Sequence, residues 1–279
     1  MFIEVIYVET LSEYLEAVLR INNLSGSISG AVYRGQSDSR WGVSSGLSRY
    51  MAGLRREEAL QKANKAYVIF DAHRHAYSNI GTTNPWDVLT LAQHFGLPTR
   101  LLDWSLSPMV SLFFALDGVK YKRVRRSDVT AQDMTEYKGA GIIDGDYVGL
   151  AQSDAVVYVI PGSHDGVEAE WLRSHEFDPD VFGPVKQAEK MGFCFMTPDV
   201  KNERIKHQSG VFTVGFLPES LFPSERAYSI VIKKNAIPEM RSNLVSLNVG
   251  AQAVYGDLEG LCRDLLFTKF EGFSNRYKM

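Results

Sequence analysis

The chain has 279 residues, 45% of them hydrophobic, so it can bury a full core, and its net charge of -3 excludes the global basic field of many nucleic-acid-binding proteins. Its two cysteines, Cys194 and Cys262, lie far apart in the sequence, which excludes a disulfide framework and a paired-cysteine zinc site. Because there is no run of about 18 apolar residues and no basic segment at the N-terminus, we expect a cytoplasmic protein with no membrane partner.

The first third of the chain contains two helical patterns on either side of a short apolar run. Residues 10–22 space their apolar side chains at a helical period, and a Gly-Ser stretch ends this predicted helix. Residues 31–33 predict a short buried strand that ends at Arg34 and Gly35. The charged, periodic residues 55–78 predict a long helix.

Two further helices and an extended segment follow. Residues 85–95 predict a helix with proline in its first turn and Gly96 at its end. Residues 98–103 are expected to be extended. Ser107 and the proline after it then begin an apolar helix over 109–116, which we expect to pack under a sheet.

Residues 120–154 lose both periodicities and are rich in charge, glycine and aspartate, so we predict an insertion or loop. The segment begins with a cluster of five cations. Two interpretations stay open for this cluster, a solvated surface loop or a patch that contacts phosphates. Its members are Lys120, Lys122, Arg123, Arg125 and Arg126.

The second half of the chain is predicted to supply most of the sheet. Residues 155–160, 211–216 and 229–232 have the composition of buried strands, and residues 237–266 are predicted to be helical. Neither an internal repeat nor a clear linker divides the sequence. We therefore predict one α+β domain over residues 1–279.

The first candidate site is the tetrapeptide Tyr33-Arg34-Gly35-Gln36, at the end of a predicted strand. An arginine there can hold a phosphate or carboxylate through two hydrogen bonds, and a glycine lets a ligand approach the main chain. The alternative is an arginine that only ties a turn to an acidic neighbour.

The second candidate site places six polar or aromatic residues within twelve positions, beside the apolar helix. Arg100 and Asp103 have an alternative interpretation as a partly buried ion pair with Trp104 in the core, and His94 as a structural histidine. The six residues are His94, Thr99, Arg100, Asp103, Trp104 and Ser105.

The third candidate site is the polar run 202–210, which leads into a predicted strand. Glu203, Lys206 and His207 fit a solvated loop, whereas the amide of Gln208 can both donate to and accept from a ligand hydroxyl. GxxxxGK[ST], HExxH and paired CxxC motifs do not occur in the chain, so common nucleoside-triphosphatase and zinc functions lose support.

Four blocks of sequence together resemble the FRG domain, a family named for its Phe/Tyr-Arg-Gly motif. They are YRGQ, QHFGLPTRLLDWSLSPMVSLFFAL, ERIKHQSGVFTV and DLEGL, and the resemblance runs from about residue 32 to residue 265. Members of this family recur in bacterial genomes near mobile elements and defence or toxin systems, which implies a toxin or phage-defence effector with an antitoxin protein as a partner.

The order of these blocks is also similar to the ADP-ribosyltransferase fold of the Arg-Ser-Glu class. In that class a strand ends in Arg-Gly, a second strand carries Ser or Thr before a helix ending in Phe-Ala, and an acid precedes a later strand. The resemblance implies a split β-sheet flanked by helices, with NAD as the substrate.

The resemblance also implies roles for the candidate residues. Arg34 would hold the pyrophosphate of NAD, Ser105 and Asp103 would support the nicotinamide ribose or brace Arg34, and Tyr33 and Trp104 would stack on or wall the dinucleotide. We expect the remaining cofactor contacts from Gly35, Gln36, Thr99 and Arg100.

The chain departs from the class where a catalytic glutamate is usual. Gln208 stands at that distance from the strand, with Glu203 five residues earlier. The predicted function is therefore an ADP-ribosyltransferase that modifies a nucleic acid or protein, with Arg34, Gln208, Glu203 and Asp103 as catalytic residues. An NAD glycohydrolase and a non-catalytic binding module of the same fold stay open as alternatives.

Overall fold

The structure is a computed structural model, and it describes residues 4–24, 31–77, 81–131, 143–144, 147–161, 169–199 and 210–270. The strands are β1 (Val5–Val8), β2 (Val32–Gln36), β3 (Leu101–Ser105), β4 (Tyr121–Arg125), β5 (Ile143–Asp144), β6 (Tyr147–Ala151), β7 (Ala155–Ile160), β8 (Trp171–Arg173), β9 (Phe193–Thr197), β10 (Gly210–Gly215) and β11 (Tyr228–Ile232). The α-helices are α1 (Leu11–Leu24), α2 (Gly46–Met51), α3 (Arg56–His73), α4 (Pro85–His94), α5 (Pro108–Asp117), α6 (Ile237–Ser246), α7 (Ala251–Tyr255) and α8 (Leu258–Lys269).

The main sheet contains eight strands in the order β1-β11-β7-β2-β3-β10-β9-β8. The two outermost pairs, β1 with β11 and β8 with β9, are parallel, and every pair between them is antiparallel. With its flanking helices this mixed sheet confirms the predicted α+β class. Strands β4, β6 and β5 form a separate three-stranded antiparallel sheet.

The main sheet is nearly divided between its two central strands. Strand β2 pairs with β7 along all five of its residues, whereas it pairs with β3 only at Tyr33 and Ser105. Strand β3 in turn pairs with β10 over its full length. Beyond that single pair, β2 and β3 diverge, and the chain has room for a cavity between the two halves of the sheet.

Helices cover one face of the sheet, because alternate strand residues supply an apolar surface there. Helices α1, α5 and α6 pack over β7, β11 and β2, and α4 packs over β3, β9 and β10. Loop residues Val43, Phe222 and Ala227 cover much of the opposite face.

Local capping fixes where the two helices beside the split begin. The side chain of Asn84 accepts hydrogen bonds from the first turn of α4, and that of Ser107 accepts one from α5. A proline occupies the first position of both helices, where no N–H is needed. Gly96 follows α4 with a φ of 92°, a left-handed conformation that suits glycine.

Several sequence predictions need correction. Arg34 and Gly35 lie inside β2 rather than at its end, since the strand continues to Gln36. The segment 120–154 is not a loop where it is described, because β4 and β6 pair along five residues each and β4 carries three of the five cations of the basic cluster. The predicted helix over 55–78 ends at His73, and the tail forms three separate helices.

Two further observations concern the described residues as a whole. None of their helices is both long and apolar enough to cross a membrane. Cys194 is buried, and this burial raises the pKa of its thiol to about 12, whereas Cys262 is exposed.

Gly35 sets the distance between β2 and α5. A Cβ atom at this position would lie 1.9 Å from the carbonyl oxygen of Ser111 and 2.6 Å from the amide nitrogen of Ala115. Both are backbone atoms of α5, so a side chain cannot rotate away to make room. Gly35 thus allows helix α5 to approach the main chain of β2, whereas the sequence analysis assigned this role of the glycine to a ligand.

We therefore expect Gly35→Ala to lower the free energy of unfolding by about 3 kcal/mol or more, because the helix must shift away from the sheet. Urea denaturation of both proteins measures this change. Gly42→Ala is the matched control, since no atom lies within 4 Å of a Cβ built there. Equal stability of the two variants would contradict the packing assigned to Gly35.

Candidate functional site

A cavity of about 750 Å³ occupies the split between β2 and β3. Its walls come from β2, β3 and the first residues of β10, with contributions from α2, α4, α5 and the loop after β2. This volume lies within the range of roughly 300–1,000 Å³ that is typical of small-molecule sites. The cavity is therefore the strongest candidate for a ligand site in the described part of the chain.

Arg34 crosses the split. Its Nη1 donates a hydrogen bond of 2.7 Å to the backbone oxygen of Asp103, at a level where β2 and β3 no longer pair. Its Nε is buried and has no hydrogen-bond partner among the described residues. Burial lowers the pKa of Arg34, the nearby Asp103 charge partly offsets this effect, and Arg49 adds to it. A half-buried cation with a buried, unused donor is suited to bind an anion.

The Asp103 carboxylate reaches the cavity from the other side of the sheet. Tyr33 pairs with Ser105, so Asp103 shares the helix-covered face with Ser105, two residues further along β3. Arg34 pairs with Tyr158, which belongs to the opposite, loop-covered face. The cavity therefore passes through the sheet, with a guanidinium approaching from one face and a carboxylate from the other.

A chain of side-chain hydrogen bonds orients Asp103. Thr99 Oγ1 donates to Gln93 Oε1, and Gln93 Nε2 donates to Asp103 Oδ1 at 2.6 Å. Thr99 is itself held in place, since its Oγ1 accepts from the Leu101 amide at 3.1 Å. Thr99 thus supports the site indirectly and does not line the cavity, unlike its predicted role as a cofactor contact.

Cationic groups outnumber anionic ones among the described cavity residues. Arg34 and Arg49 line the cavity together with a single carboxylate, that of Asp103. Arg49 Nη1 donates to the backbone oxygen of Ser44 at 2.5 Å, which directs the side chain along the cavity wall. The field inside the cavity favours a ligand with negative charge.

Two residues of this site were missed by the sequence analysis. Gln93 lies one position before His94, on the last turn of α4, where its amide closes the hydrogen-bond chain. Its position at the start of the QHFGLPTRLLDW block could have identified it as a candidate site residue. Arg49 lies in the short helix α2, which was not predicted. Only the tertiary fold brings this side chain to the cavity.

Three other predicted site residues line the cavity. Ser105 is buried, and its Oγ accepts from the Ser107 amide at 3.0 Å, which couples the end of β3 to the start of α5. Gln36 Nε2 donates to the backbone oxygens of Trp41 at 2.8 Å and Asp38 at 3.3 Å, and so closes the loop after β2. Gly35 completes the β2 wall.

The predicted role of Arg100 does not fit the structure. Its guanidinium is 3% exposed and lies outside the cavity wall, where it donates to the backbone oxygens of Val181, Gly183, Gly215 and Phe216. Burial lowers its pKa to about 10. The alternative of an ion pair with Asp103 is also wrong, because that carboxylate bonds to Gln93. Arg100 ties two loops to the start of β3.

The aromatic rings predicted to stack on a ligand belong to the core. The Tyr33 hydroxyl forms a hydrogen bond with the side chain of Asn22 in α1, and the Tyr33 ring belongs to the core under the helices. The Trp104 indole donates to Thr213 Oγ1 at 2.9 Å and packs against Phe222. Both residues border the cavity, but their burial supports the alternative of core residues over stacking platforms.

The remaining candidates cannot be placed. Glu203 and Gln208, with Lys206 and His207, lie outside the described residues. Within the described ranges, no group of three or more His, Cys, Asp or Glu side chains is arranged to hold a metal ion.

Comparison with known proteins supports the family predicted from the motifs. Residues 29–123, about a third of the chain, match the model of the FRG domain. The matched range contains β2, β3 and α5, which form much of the cavity, and it ends before β10. No curated protein and no solved structure matches the chain significantly.

Arg100 and Arg34 should differ in how strongly replacement by methionine affects stability. Arg100→Met leaves four backbone oxygens without their donors, so we expect the free energy of unfolding to fall by about 3 kcal/mol or more. Arg34→Met removes a desolvated charge that has one hydrogen bond, so we expect a change within about 1 kcal/mol. Urea denaturation measures both values.

The same two variants distinguish a structural role from a ligand-binding role. The anion-binding role assigned to Arg34 predicts that ADP, used as a pyrophosphate probe, loses affinity about 10- to 100-fold in Arg34→Met. Isothermal titration calorimetry measures this affinity. A loss of stability in Arg34→Met as large as that in Arg100→Met would show that Arg34 is a structural residue as well.

Proposed function

We propose that this protein is an NAD-dependent ADP-ribosyltransferase that modifies a macromolecule. The observation that carries the proposal is the cavity in the split sheet, where the buried Arg34 Nε has no partner among the described residues. The order of Arg34 on β2, Ser105 on β3 and a third strand β10 beside them supports it, since the Arg-Ser-Glu class uses the same order.

The cavity fits a dinucleotide in both volume and charge. A pyrophosphate carries two negative charges, and Arg34 and Arg49 are the two arginines on the cavity wall among the described residues. Arg34 would hold the pyrophosphate through its unused Nε, and Arg49 would compensate the second charge. A bound anion would also offset the cost of burying Arg34, which its lowered pKa reflects.

The reaction needs stabilisation of positive charge at the anomeric carbon. When the glycosidic bond breaks, its electron pair leaves with the nicotinamide nitrogen, and the ribose becomes an oxocarbenium-like cation. A nucleophile of the acceptor then bonds to this carbon and loses its proton to solvent. Asp103, fixed by Gln93 and open to the cavity, is the described carboxylate that would stabilise the cation.

A further residue is required to orient the ribose 2′-hydroxyl. We keep Gln208 for this role by its sequence position, with Glu203 as the source of negative charge if Asp103 does not supply it. An amide can orient a hydroxyl but cannot stabilise the cation, so a slow reaction is expected unless a carboxylate assists.

Two other functions share the site. An NAD glycohydrolase would pass the ribosyl group to water instead of a macromolecule, and a non-catalytic module would bind a nucleotide without turnover. The FRG family's association with defence and toxin systems supports an effector that acts inside a bacterial cell and is controlled by an antitoxin protein.

Labelled NAD distinguishes these functions. We expect label from the adenylate part of NAD to enter a macromolecule when purified protein is incubated with cell lysate, and Arg34→Met to reduce this labelling by at least about 100-fold. Glu225→Gln, a surface change outside the cavity, is the control. Free ADP-ribose as the sole product would support the glycohydrolase, and binding without turnover the module.

The identity of the charged catalytic residue gives a separate prediction. Gln208→Glu is expected to raise the rate of NAD cleavage about tenfold or more, because it adds negative charge beside the forming cation. Asp103→Asn and Glu203→Gln, measured separately by nicotinamide release, identify the carboxylate that now supplies this charge. If none of the three changes alters the rate, the proposed site is wrong.

A further inference from the structure

A second, smaller cavity adjoins the first beside the loop after β2. Its volume is about 220 Å³, and it shares Ser37 and Trp41 with the large cavity. Lys120 contributes to its wall, together with Arg40 and the Asp38 carboxylate that pairs with Arg40. Because this volume is below the roughly 300 Å³ of a complete small-molecule site, the small cavity fits one group of a larger ligand.

Trp41 marks the boundary between the two cavities. Its side chain is 51% exposed, in contrast to the buried rings of Trp86 and Trp104. Its backbone oxygen accepts from Gln36 Nε2 at 2.8 Å, which ties this part of the loop to β2. An exposed indole is a stacking surface for a nucleobase.

Strand β4 carries further cations beyond Lys120, outside the small cavity. The Gln152 amide donates to the Lys120 oxygen at 3.0 Å, so the ladder between β4 and β6 continues to Lys120. Lys122, two residues along the strand, therefore points to the same side as Lys120. Both side chains are exposed.

The rest of the strand adds positive charge. Residues 120–126 contain five cations and no acid. The Arg123 guanidinium lies over the Tyr147 ring at 3.8 Å, and Arg125 Nε donates to the Tyr147 hydroxyl at 3.4 Å, which limits the freedom of both side chains. The chain's net negative charge makes this concentration a local feature rather than a property of the whole surface.

We infer that Trp41, Lys120 and Lys122 form the entry path of a single-stranded nucleic acid, whose terminal or flipped-out nucleotide reaches the large cavity. One base would stack on Trp41, and the following phosphates would contact Lys120 and Lys122. This inference rests on the proposed function, because it selects nucleic acid over protein as the acceptor. A duplex is excluded from the path, since its bases are not available to the indole.

The binding test uses the full-length protein without NAD. Fluorescence anisotropy measures the affinity for labelled single-stranded RNA and DNA of about twelve nucleotides, and for the duplex of the same sequence. We expect both single strands, or one of them, to bind more tightly than the duplex. Trp41→Ala is expected to weaken binding about tenfold.

Charge reversal provides the matched comparison. Lys120→Glu/Lys122→Glu should weaken binding at least tenfold and reduce the slope of log affinity against log salt by about 1.4, the value for two lost single-strand contacts. Arg55→Glu/Lys65→Glu makes the same change in net charge at two exposed positions, the N-cap of α3 and the helix itself. Equal weakening by the two double variants would overturn the inference.

Failure of this inference and failure of the proposed function give different results. Single-strand binding without NAD cleavage leaves the nucleic-acid path standing and rejects the transferase. NAD cleavage with label entering protein alone, or with no binding of single strands, keeps the transferase and rejects the path. Lys120→Glu/Lys122→Glu should leave NAD cleavage in the absence of acceptor unchanged.

Discussion

The single residue pair between β2 and β3 is the constraint on which the site depends. Tyr33 and Ser105 join the two halves of the sheet, and beyond them the strands leave backbone groups that no neighbouring strand satisfies. Arg34 bonds to one of these groups, the Asp103 oxygen. The same divergence that breaks the ladder creates the cavity, so the site is a consequence of how the sheet is built. Helix α5 can lie close enough to line it only because Gly35 has no side chain.

Arg34 and Arg100 show how burial alone fails to identify function. Both lie in the part of the chain that matches the FRG domain model, and burial lowers the pKa of both. Arg100 donates to four backbone oxygens and lies outside the cavity wall, so its charge serves the fold. Arg34 makes one such bond and lines the cavity. Each has a buried Nε without a partner among the described residues, so position at the cavity, rather than burial or an unpartnered donor, distinguishes a binding arginine from a structural one.

Much of the secondary structure could be predicted from local signals. Asn84, Ser107 and the prolines after them fix the starts of α4 and α5, and apolar runs fix β7, β10 and β11. The small sheet of β4, β5 and β6 could not be predicted, because its strands carry charge in place of an alternating apolar pattern. Exposed strands depend on pairing with a partner distant in sequence, which leaves little local trace.

Strand position brings some of the predicted site residues to the split, whereas tertiary contacts decide where the others lie. Arg34, Asp103 and Ser105 line the cavity. Trp104 has the composition of a stacking residue, but strand alternation turns its ring into the core behind Asp103. Arg49 comes from a helix with no chemical signature, and only the packing of that helix brings it to the cavity wall.

The passage of the cavity through the sheet also links ligand binding to the mechanics of the protein. A ligand held by Arg34 on one face and Asp103 on the other would connect two halves that share only one pair of strand residues along this seam. The seam is the line along which the sheet should open most readily, with those amides of β2 and β3 that face the seam exchanging before the amides between β2 and β7. A bound ligand would therefore hold the two halves together, and the protein's resistance to proteolysis would rise with the concentration of that ligand.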